Sequence, residues 1–368
     1  MANPLTQTDI IKCLVESVDD EQYIFFAGVS RGWRDAWGNR PTRTRAVTAF
    51  TTGAQLRQSF ECGQPLETVC RSIAALGKLD LLQCARERGC PWDADTCSYA
   101  AENGHLEVLQ WCRGVEGCPW DSDTCTMAAR RGFLDVLEWC RSNGCEWNKE
   151  TSKLAAFGGH LEVVKWLKLN GCPWGVDTCY GAARGGHLDV LEWCRSNGCD
   201  WDKWTTAGAA GAGHLDVLRW ARDNGCVWDE DTCGVAAERG YVHILKFARL
   251  NGCLWYEEEM CTAAAKGGHV EVLKYAHEEG CSWDENTCTY AAGSGHLAVL
   301  KYAHEGGCPW DEGTCAAAAG SGFLETLTYA HEEGCPWDDN TCAYAMMEGH
   351  LEILKYAREE GCPWDGFS

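Results

Sequence analysis

The chain has 368 residues and a formal charge of −22 at pH 7, from 54 acidic and 32 basic side chains. So acidic a surface repels phosphate backbones and anionic lipid headgroups, which argues against direct binding of nucleic acid or membrane. No apolar run is long enough to cross a bilayer, and residues 1–9 lack the basic start and apolar core of a signal peptide. We therefore expect a protein of the cytoplasm or nucleus whose 26 cysteines are reduced thiols.

Residues 1–60 do not repeat, and two short amphipathic helices are predicted within them. The first begins near Asp9 and the second at Asp19, because acidic residues favour a helix N-terminus. The segment from Val29 to Trp37 resembles the closing helix of an F-box, the module that binds the Skp adaptor of a cullin ubiquitin ligase. The alternative is that residues 1–60 only cap the first repeat and cover its apolar face, as the ends of a solenoid require.

The F-box resemblance implies that apolar side chains of this segment contact a Skp-type adaptor. They are Ile10, Ile11, Leu14, Phe25, Phe26, Trp33 and Trp37. Under the alternative, the same side chains all pack against the first repeat.

From residue 61 to 368 one unit recurs, and a glycine before a His-Leu pair or its equivalent marks each copy. This marker glycine lies at Gly77, Gly104, Gly132, Gly159, Gly186, Gly213, Gly240, Gly268, Gly295, Gly322 and Gly349. The steps are 27 residues, or 28 in two cases. Such a period indicates a solenoid, because one unit is too small to bury its own apolar face.

Each unit is predicted to contain two short helices. In the second copy Asp93 is a suitable N-cap, residues 94–103 form a first helix, and Gly104 ends it in the left-handed conformation. A second helix follows and ends before Gly117. Its apolar face is wide, which is typical of a helix packed between neighbours. The predicted fold is therefore an all-α solenoid of about eleven stacked helix pairs after an N-terminal helical cap.

The run Ala100-Ala101-x-x-Gly104-His105-Leu106, followed by Gly117-Cys118, resembles the core of the ankyrin repeat. Two features differ from that family: its Thr-Pro-Leu-His opening is replaced by Thr-Cys, and the unit is shorter than about 33 residues. The missing residues fall between Trp120 and Cys125, where the family forms β-hairpins, so compact loops are expected there. The resemblance implies a scaffold that binds a partner protein along its concave side.

Cysteine recurs at two positions of the unit. One follows the glycine that ends the second helix in all eleven copies, and the other lies in the first turn of the first helix in nine, with Ser152 and Thr206 in two other copies. Equivalent thiols of successive units would lie about 10 Å apart, too far for a disulfide, and the spacing is not that of a zinc site. We expect buried structural thiols; the alternative is a metal-binding or redox-responsive array. No metal site and no cofactor is predicted.

Three other residue types recur, and a structural role is predicted for each. The Trp of each turn fills the gap between adjacent loops rather than stacking on bases or sugars. The His after the marker glycine makes structural hydrogen bonds, an inference from the ankyrin resemblance. The basic residue near the end of each second helix offsets the helix dipole. No nucleophile recurs with a base, so an enzyme is not expected.

In ankyrin repeats the two residues between the Ala pair and the marker glycine face the concave side, and here they vary between copies. The resemblance therefore implies partner contacts by Glu102, Asn103, Arg130, Arg131, Phe157, Arg184, Glu238, Arg239 and Lys266. Arg130, Arg131 and Arg184 would form a basic spot for a carboxylate-bearing partner. The chain itself is expected to be a monomer.

Overall fold

The computed structural model describes residues 69–364 except 88 and 115–116, without the side chains of 257 and 258. The helices, the F-box resemblance and the adaptor contacts predicted for residues 1–60 lie outside this part. The chain divides into two compact units, Met1–Trp174 and Gly175–Ser368, here called the N-terminal unit and the C-terminal unit.

The described residues form twenty-two α-helices and no strand. Those of the N-terminal unit are α1 Val69–Ala75, α2 Leu79–Glu87, α3 Ala94–Glu102, α4 Leu106–Gly114, α5 Ser122–Arg131, α6 Leu134–Ser142, α7 Lys149–Phe157 and α8 Leu161–Leu169. In the C-terminal unit α9 Val176–Gly185, α10 Leu188–Ser196, α11 Lys203–Ala212, α12 Leu215–Asp223, α13 Glu230–Glu238, α14 Val242–Leu250 and α15 Glu257–Gly267 come first. They are followed by α16 Val270–Glu278, α17 Glu285–Gly293, α18 Leu297–Glu305, α19 Glu312–Gly320, α20 Leu324–Glu332, α21 Asp339–Met347 and α22 Leu351–Glu359.

Odd-numbered helices are the first helices of the pairs, and even-numbered helices are the second. Within each unit, every first helix packs on the second helix of its pair and on the first helices of neighbouring pairs. Among the described residues, four pairs lie in the N-terminal unit and seven in the C-terminal unit. The predicted all-α solenoid of eleven pairs is confirmed. The helix predicted over residues 94–103 ends one residue earlier, at Glu102.

A buried threonine caps the start of several first helices, at Thr96, Thr151, Thr178 and Thr287. At α7 the N-cap Asn148 accepts a hydrogen bond from the backbone N–H of Glu150 at 2.9 Å, and Thr151 Oγ1 accepts one from the N–H of Asn148 at 3.3 Å. Thr151 is fully buried, so two donors that a helix start leaves open are paired inside the protein. Such a cap stabilises a helix by about 1 kcal/mol. At α15 this threonine is replaced by the buried Met260.

The marker glycines and the following histidines interlock successive pairs. Gly132 has φ +83°, and a Cβ added there would lie 2.5 Å from Nδ1 of His160 in the next pair. Nε2 of His160 donates to the carbonyl oxygen of Arg130 at 3.1 Å. Glycine is therefore required twice, for the left-handed backbone and for the space that the ring occupies. The predicted structural hydrogen bond of the histidine is confirmed here and at His105, His296 and His350.

The core consists of repeated small and aliphatic side chains. Ala128 and Ala129 of α5 and Val136 and Leu137 of α6 are fully buried, and their equivalents recur through both units. Alanine at the contacts between first helices allows close approach of the backbones. In the described part of the chain no helix is long and apolar enough to cross a bilayer.

Candidate functional site

The candidate partner site is the exposed side of the first helices, here called the first-helix face. It is made of the residues five, two and one positions before each marker glycine. All nine residues predicted to contact a partner lie in the last turn of a first helix or immediately after it. Asn103, Arg131, Arg184, Arg239 and Lys266 are exposed, whereas Glu102, Arg130, Phe157 and Glu238 are half-buried.

Ion pairs join some of these residues across neighbouring pairs. Arg131 lies 3.0 Å from Glu102 in the N-terminal unit, and Lys266 lies 3.3 Å from Glu238 in the C-terminal unit. Arg184 donates to the hydroxyl of Tyr180 at 3.2 Å. Because Arg131 is already paired with a carboxylate, the positive charge expected at this position is partly neutralised.

The first-helix face also presents large apolar side chains. In the N-terminal unit Tyr99 is 43% exposed, and Met127 and Leu154, at the same position of the next two pairs, are half-buried. In the C-terminal unit Tyr290 and Tyr344 are 47% and 46% exposed. Between those two, α19 presents only small residues on this face, including Ala317.

The tryptophans of the turns are held between pairs. Trp120 lies edge-on to Trp139 of α6, with ring centroids 5.8 Å apart, and the Arg113 guanidinium of the preceding pair covers its face at 4.2 Å. Equivalent cation contacts occur at Trp92, Trp147, Trp174, Trp201, Trp228, Trp255 and Trp364. Because these rings are occupied on one face, the structure supports the packing role over a platform for bases or sugars.

The basic residue at the end of the second helix therefore does more than offset the helix dipole. Arg141 stacks on Trp147 at 3.9 Å and donates to the carbonyl oxygen of Cys145 at 2.6 Å. In three pairs of the C-terminal unit a histidine takes this place. His304, for example, stacks on Trp310 with centroids 3.7 Å apart and planes 12° from parallel.

The cysteine after the second helix bonds to the backbone at the start of its own unit. Sγ of Cys145 donates to the carbonyl oxygen of Asp121, the N-cap of α5, at 3.1 Å, and its backbone N–H donates to the carbonyl of Cys140 at 2.9 Å. The same thiol contact is made by Cys118, Cys172, Cys199, Cys226, Cys253, Cys308, Cys335 and Cys362. A small buried donor is needed there, and cysteine supplies it while packing as an apolar residue.

The expected separation of about 10 Å applies to equivalent thiols of successive units, whereas the structure brings different thiols of one pair close together. Three such groups are Cys97, Cys112 and Cys118; Cys125, Cys140 and Cys145; and Cys179, Cys194 and Cys199. All nine are buried. In the described part of the chain, no group of three Cys, His, Asp or Glu side chains is arranged to hold a metal ion.

Two pairs have a hydroxyl in the first helix in place of the thiol. Ser152 donates to the carbonyl of Pro173 at 2.6 Å, and Thr206 donates to that of Val227 at 2.9 Å. The loop cysteines of these pairs are Cys172 and Cys226. Burial raises the pKa of Cys172 to about 12 and that of Cys226 to about 11, so both thiols remain protonated at neutral pH.

No family model and no curated protein matches the chain. Among solved structures, it is similar to the ankyrin repeat domain of human ASB11, with 18% sequence identity. The match covers 43% of this chain and 84% of that domain, with a TM-score of 0.35.

Sequence reasoning missed how the recurring side chains are paired. The threonine before the first-helix cysteine is constant in nine copies, a signal that could have revealed the capping role found at Thr151. The acceptor of each loop thiol lies 24 or 25 residues earlier in the chain, and no local spacing points to it.

Proposed function

We propose that this chain is a protein-binding scaffold, with no chemistry of its own, whose partner lies along the first-helix face. The observation that supports it most is the row of Tyr99, Met127 and Leu154 in three successive first helices. These side chains are partly exposed, while the neighbouring Ala pairs are fully buried. A contiguous row of apolar side chains with a polar rim is typical of a protein interaction surface.

The rim of this row carries charges suited to orienting a partner. Arg131 and Glu102 form their ion pair beside it, and Arg130 and Phe157 lie in the adjoining last turns. In the C-terminal unit Arg184, Arg239 and Lys266 are the exposed basic residues at the corresponding positions. Bidentate pairing of arginine with a carboxylate is the contact we expect there.

The test is capture of partners from the source cells, followed by mass spectrometry, with two variants of the full-length chain. The first replaces Tyr99→Ser and Arg131→Ser, and the second replaces Tyr290→Ser and Tyr344→Ser. A matched control replaces the exposed Glu107 by Ser on a second helix. The proposal requires that a protein held by the wild type and the control is lost from at least one variant of unchanged melting temperature. Retention of every captured protein by both would refute it.

We infer further that residues 1–40 recruit a Skp-type adaptor and deliver the bound partner for ubiquitination. The resemblance of Val29 to Trp37 to an F-box helix supports this role, together with the position of a short segment predicted to be helical before a long repeat array. Co-elution of the purified chain with a Skp-type adaptor is expected at tens of micromolar, with loss of the complex on Trp33→Ala and Trp37→Ala. If no complex forms, the segment is a cap only.

The thiol-based alternative is tested on the same protein. For a scaffold we expect the buried cysteines to react with a thiol reagent only after denaturation, and no zinc to accompany the purified chain. Rapid reaction of the native chain, or stoichiometric metal, would favour the metal-binding or redox-responsive array.

A further inference from the structure

Two successive turns of the C-terminal unit depart from the repeat, at three positions in all. The residue after the loop cysteine is Pro, Glu, Asp or Ser in nine copies, but Val227 and Leu254 in two consecutive ones. The residue after the Trp is Asp, Asn or Gly in ten copies, but Tyr256 in the remaining one. At both positions the other copies carry proline, glycine or a polar residue.

All three side chains are directed outward. Val227 is 60%, Leu254 75% and Tyr256 54% exposed. The Trp between Leu254 and Tyr256 is also more deeply buried than its equivalents. Trp255 is only 8% exposed, whereas the ten equivalent Trp residues are half-buried. The two aliphatic side chains occupy equivalent places in successive pairs, about 10 Å apart.

Side-chain contacts connect Tyr256 with Trp204 of α11 through the start of α13, which lies between the loops that carry Val227 and Leu254. The hydroxyl of Tyr256 donates to Glu230 at 2.8 Å, at the start of α13. Lys203 pairs with Asp231 of the same helix at 3.1 Å and lies 5.0 Å from the ring of Trp204, which is 51% exposed. Val227, Leu254, Tyr256 and Trp204 are here called the loop patch.

The charges around the loop patch indicate its partner. Asp231, Glu259 and Asp200 are exposed beside these loops, and Lys203 is already paired with Asp229 and Asp231. An apolar centre with an acidic rim favours a partner that presents aliphatic side chains between basic ones. A second copy of the chain is disfavoured, because two chains of charge −22 repel each other.

We propose that the loop patch binds a cationic protein segment that presents aliphatic side chains. The site is separate from the first-helix face and does not depend on what that face binds. Val227 and Leu254 contact the aliphatic side chains, Trp204 stacks against a basic one, and Asp200 and Glu259 pair with the flanking charges.

The experiment measures binding of three labelled helical peptides of equal length to the full-length chain by fluorescence anisotropy. The first has leucines on one face and lysines elsewhere; the second replaces the lysines with glutamate, and the third replaces the leucines with serine. The double variant Val227→Ser, Leu254→Ser removes the patch, because serine is the residue of the following copy, at Ser282. Leu169→Ser, at a leucine 85% exposed in the N-terminal unit, is the matched control.

The wild type and the control are expected to bind the leucine–lysine peptide at least about tenfold more tightly than the double variant, a change of about 1.4 kcal/mol. Both altered peptides should bind more weakly. The proposal is overturned by equal binding to the double variant, by equal binding of the glutamate or serine peptide, or by no binding of the first peptide at 100 μM. It is also overturned if sedimentation reveals a dimer that the double variant abolishes, because the occupant is then a second copy.

Discussion

The two units share their buried framework and differ in charge. Residues 175–368 carry 32 acidic and 13 basic side chains, whereas residues 69–174 carry 14 acidic and 12 basic ones. The Ala pairs, the capping threonines and the loop cysteines are buried alike in both. Packing within the repeat therefore places little constraint on surface charge, and the C-terminal unit has accumulated nearly all of the net negative charge. The first consequence to test is that equivalent framework positions respond equally in both units.

The largest loss of stability is expected on replacing a glycine that has a left-handed backbone and lies against a ring of the next pair. Gly132→Ala in the N-terminal unit and Gly213→Ala in the C-terminal unit place a Cβ within 2.7 Å of the rings of His160 and Tyr241. The left-handed backbone alone costs about 1–2 kcal/mol, and displacement of the ring adds to it. We expect a loss of about 3 kcal/mol or more for each, measured by urea denaturation.

The matched controls are glycines of nearly identical backbone conformation with open space around them. Gly144 has φ +82° and Gly225 has φ +83°, and no atom lies within 4 Å of an added Cβ at either. Their alanine variants should be destabilised only by the free energy that the left-handed backbone costs. Equal losses at covered and open positions would mean that the ring contact contributes nothing.

Alkaline pH should destabilise both units through their isolated loop thiols. Folding raises the pKa of Cys172 to about 12 and of Cys226 to about 11 from an ordinary value near 9. Below pH 9 both states are protonated and this contribution is constant; between pH 9 and 12 the unfolded chain loses the proton first, so stability falls as pH rises. The decline is of the order of 3 kcal/mol per thiol, and larger for Cys172 than for Cys226.

Urea denaturation at several pH values checks this decline. Cys172→Ala or Cys226→Ala should lower stability at pH 7 by a fixed amount but make the decline between pH 9 and 12 shallower. A decline as steep as that of the wild type would show that these thiols are not its cause.

The arginine above Trp147 in the N-terminal unit should contribute more to stability than the histidine above Trp310 in the C-terminal unit. Arg141 both stacks on Trp147 and donates to the carbonyl of Cys145, whereas the contact of His304 with Trp310 is a ring stack. We expect Arg141→Leu to cost about 1–2 kcal/mol and His304→Leu about 0.5–1 kcal/mol. Thermal melts of the two variants decide between this order and its reverse.

The smallest effect expected is that of salt. Raising sodium chloride from 50 to 500 mM should screen the repulsion among acidic side chains. The free energy of opening measured by amide exchange should therefore rise by a few tenths of a kcal/mol more for residues 175–368 than for residues 69–174. Hydrogen exchange with mass spectrometry on the intact chain reports the two units separately. The same gain in both would mean that the charge difference has no effect on stability.

The architecture could be predicted from the sequence because the same pattern of residues occurs in eleven copies. The marker glycine fixed the helix ends, and the Ala pair fixed the contact side of the first helix. What the sequence did not reveal are contacts whose partners are distant in the chain or belong to the backbone, such as the bond from Cys145 to Asp121. The ion pair between Arg131 and Glu102 was missed for a related reason: each residue was considered as a partner for another protein, although the neighbouring copy was within reach.

The histidine that covers the preceding glycine also constrains how such a chain can change in length. His160 reaches Arg130 across 30 residues, and His350 reaches Gly320 across the same interval. A duplication or deletion of one complete copy re-creates this contact at the new junction, whereas a partial copy leaves a ring without its glycine. Gly349, which follows α21, has open space where a ring would lie. Within either unit, the gain or loss of one whole copy therefore preserves this contact between neighbouring pairs.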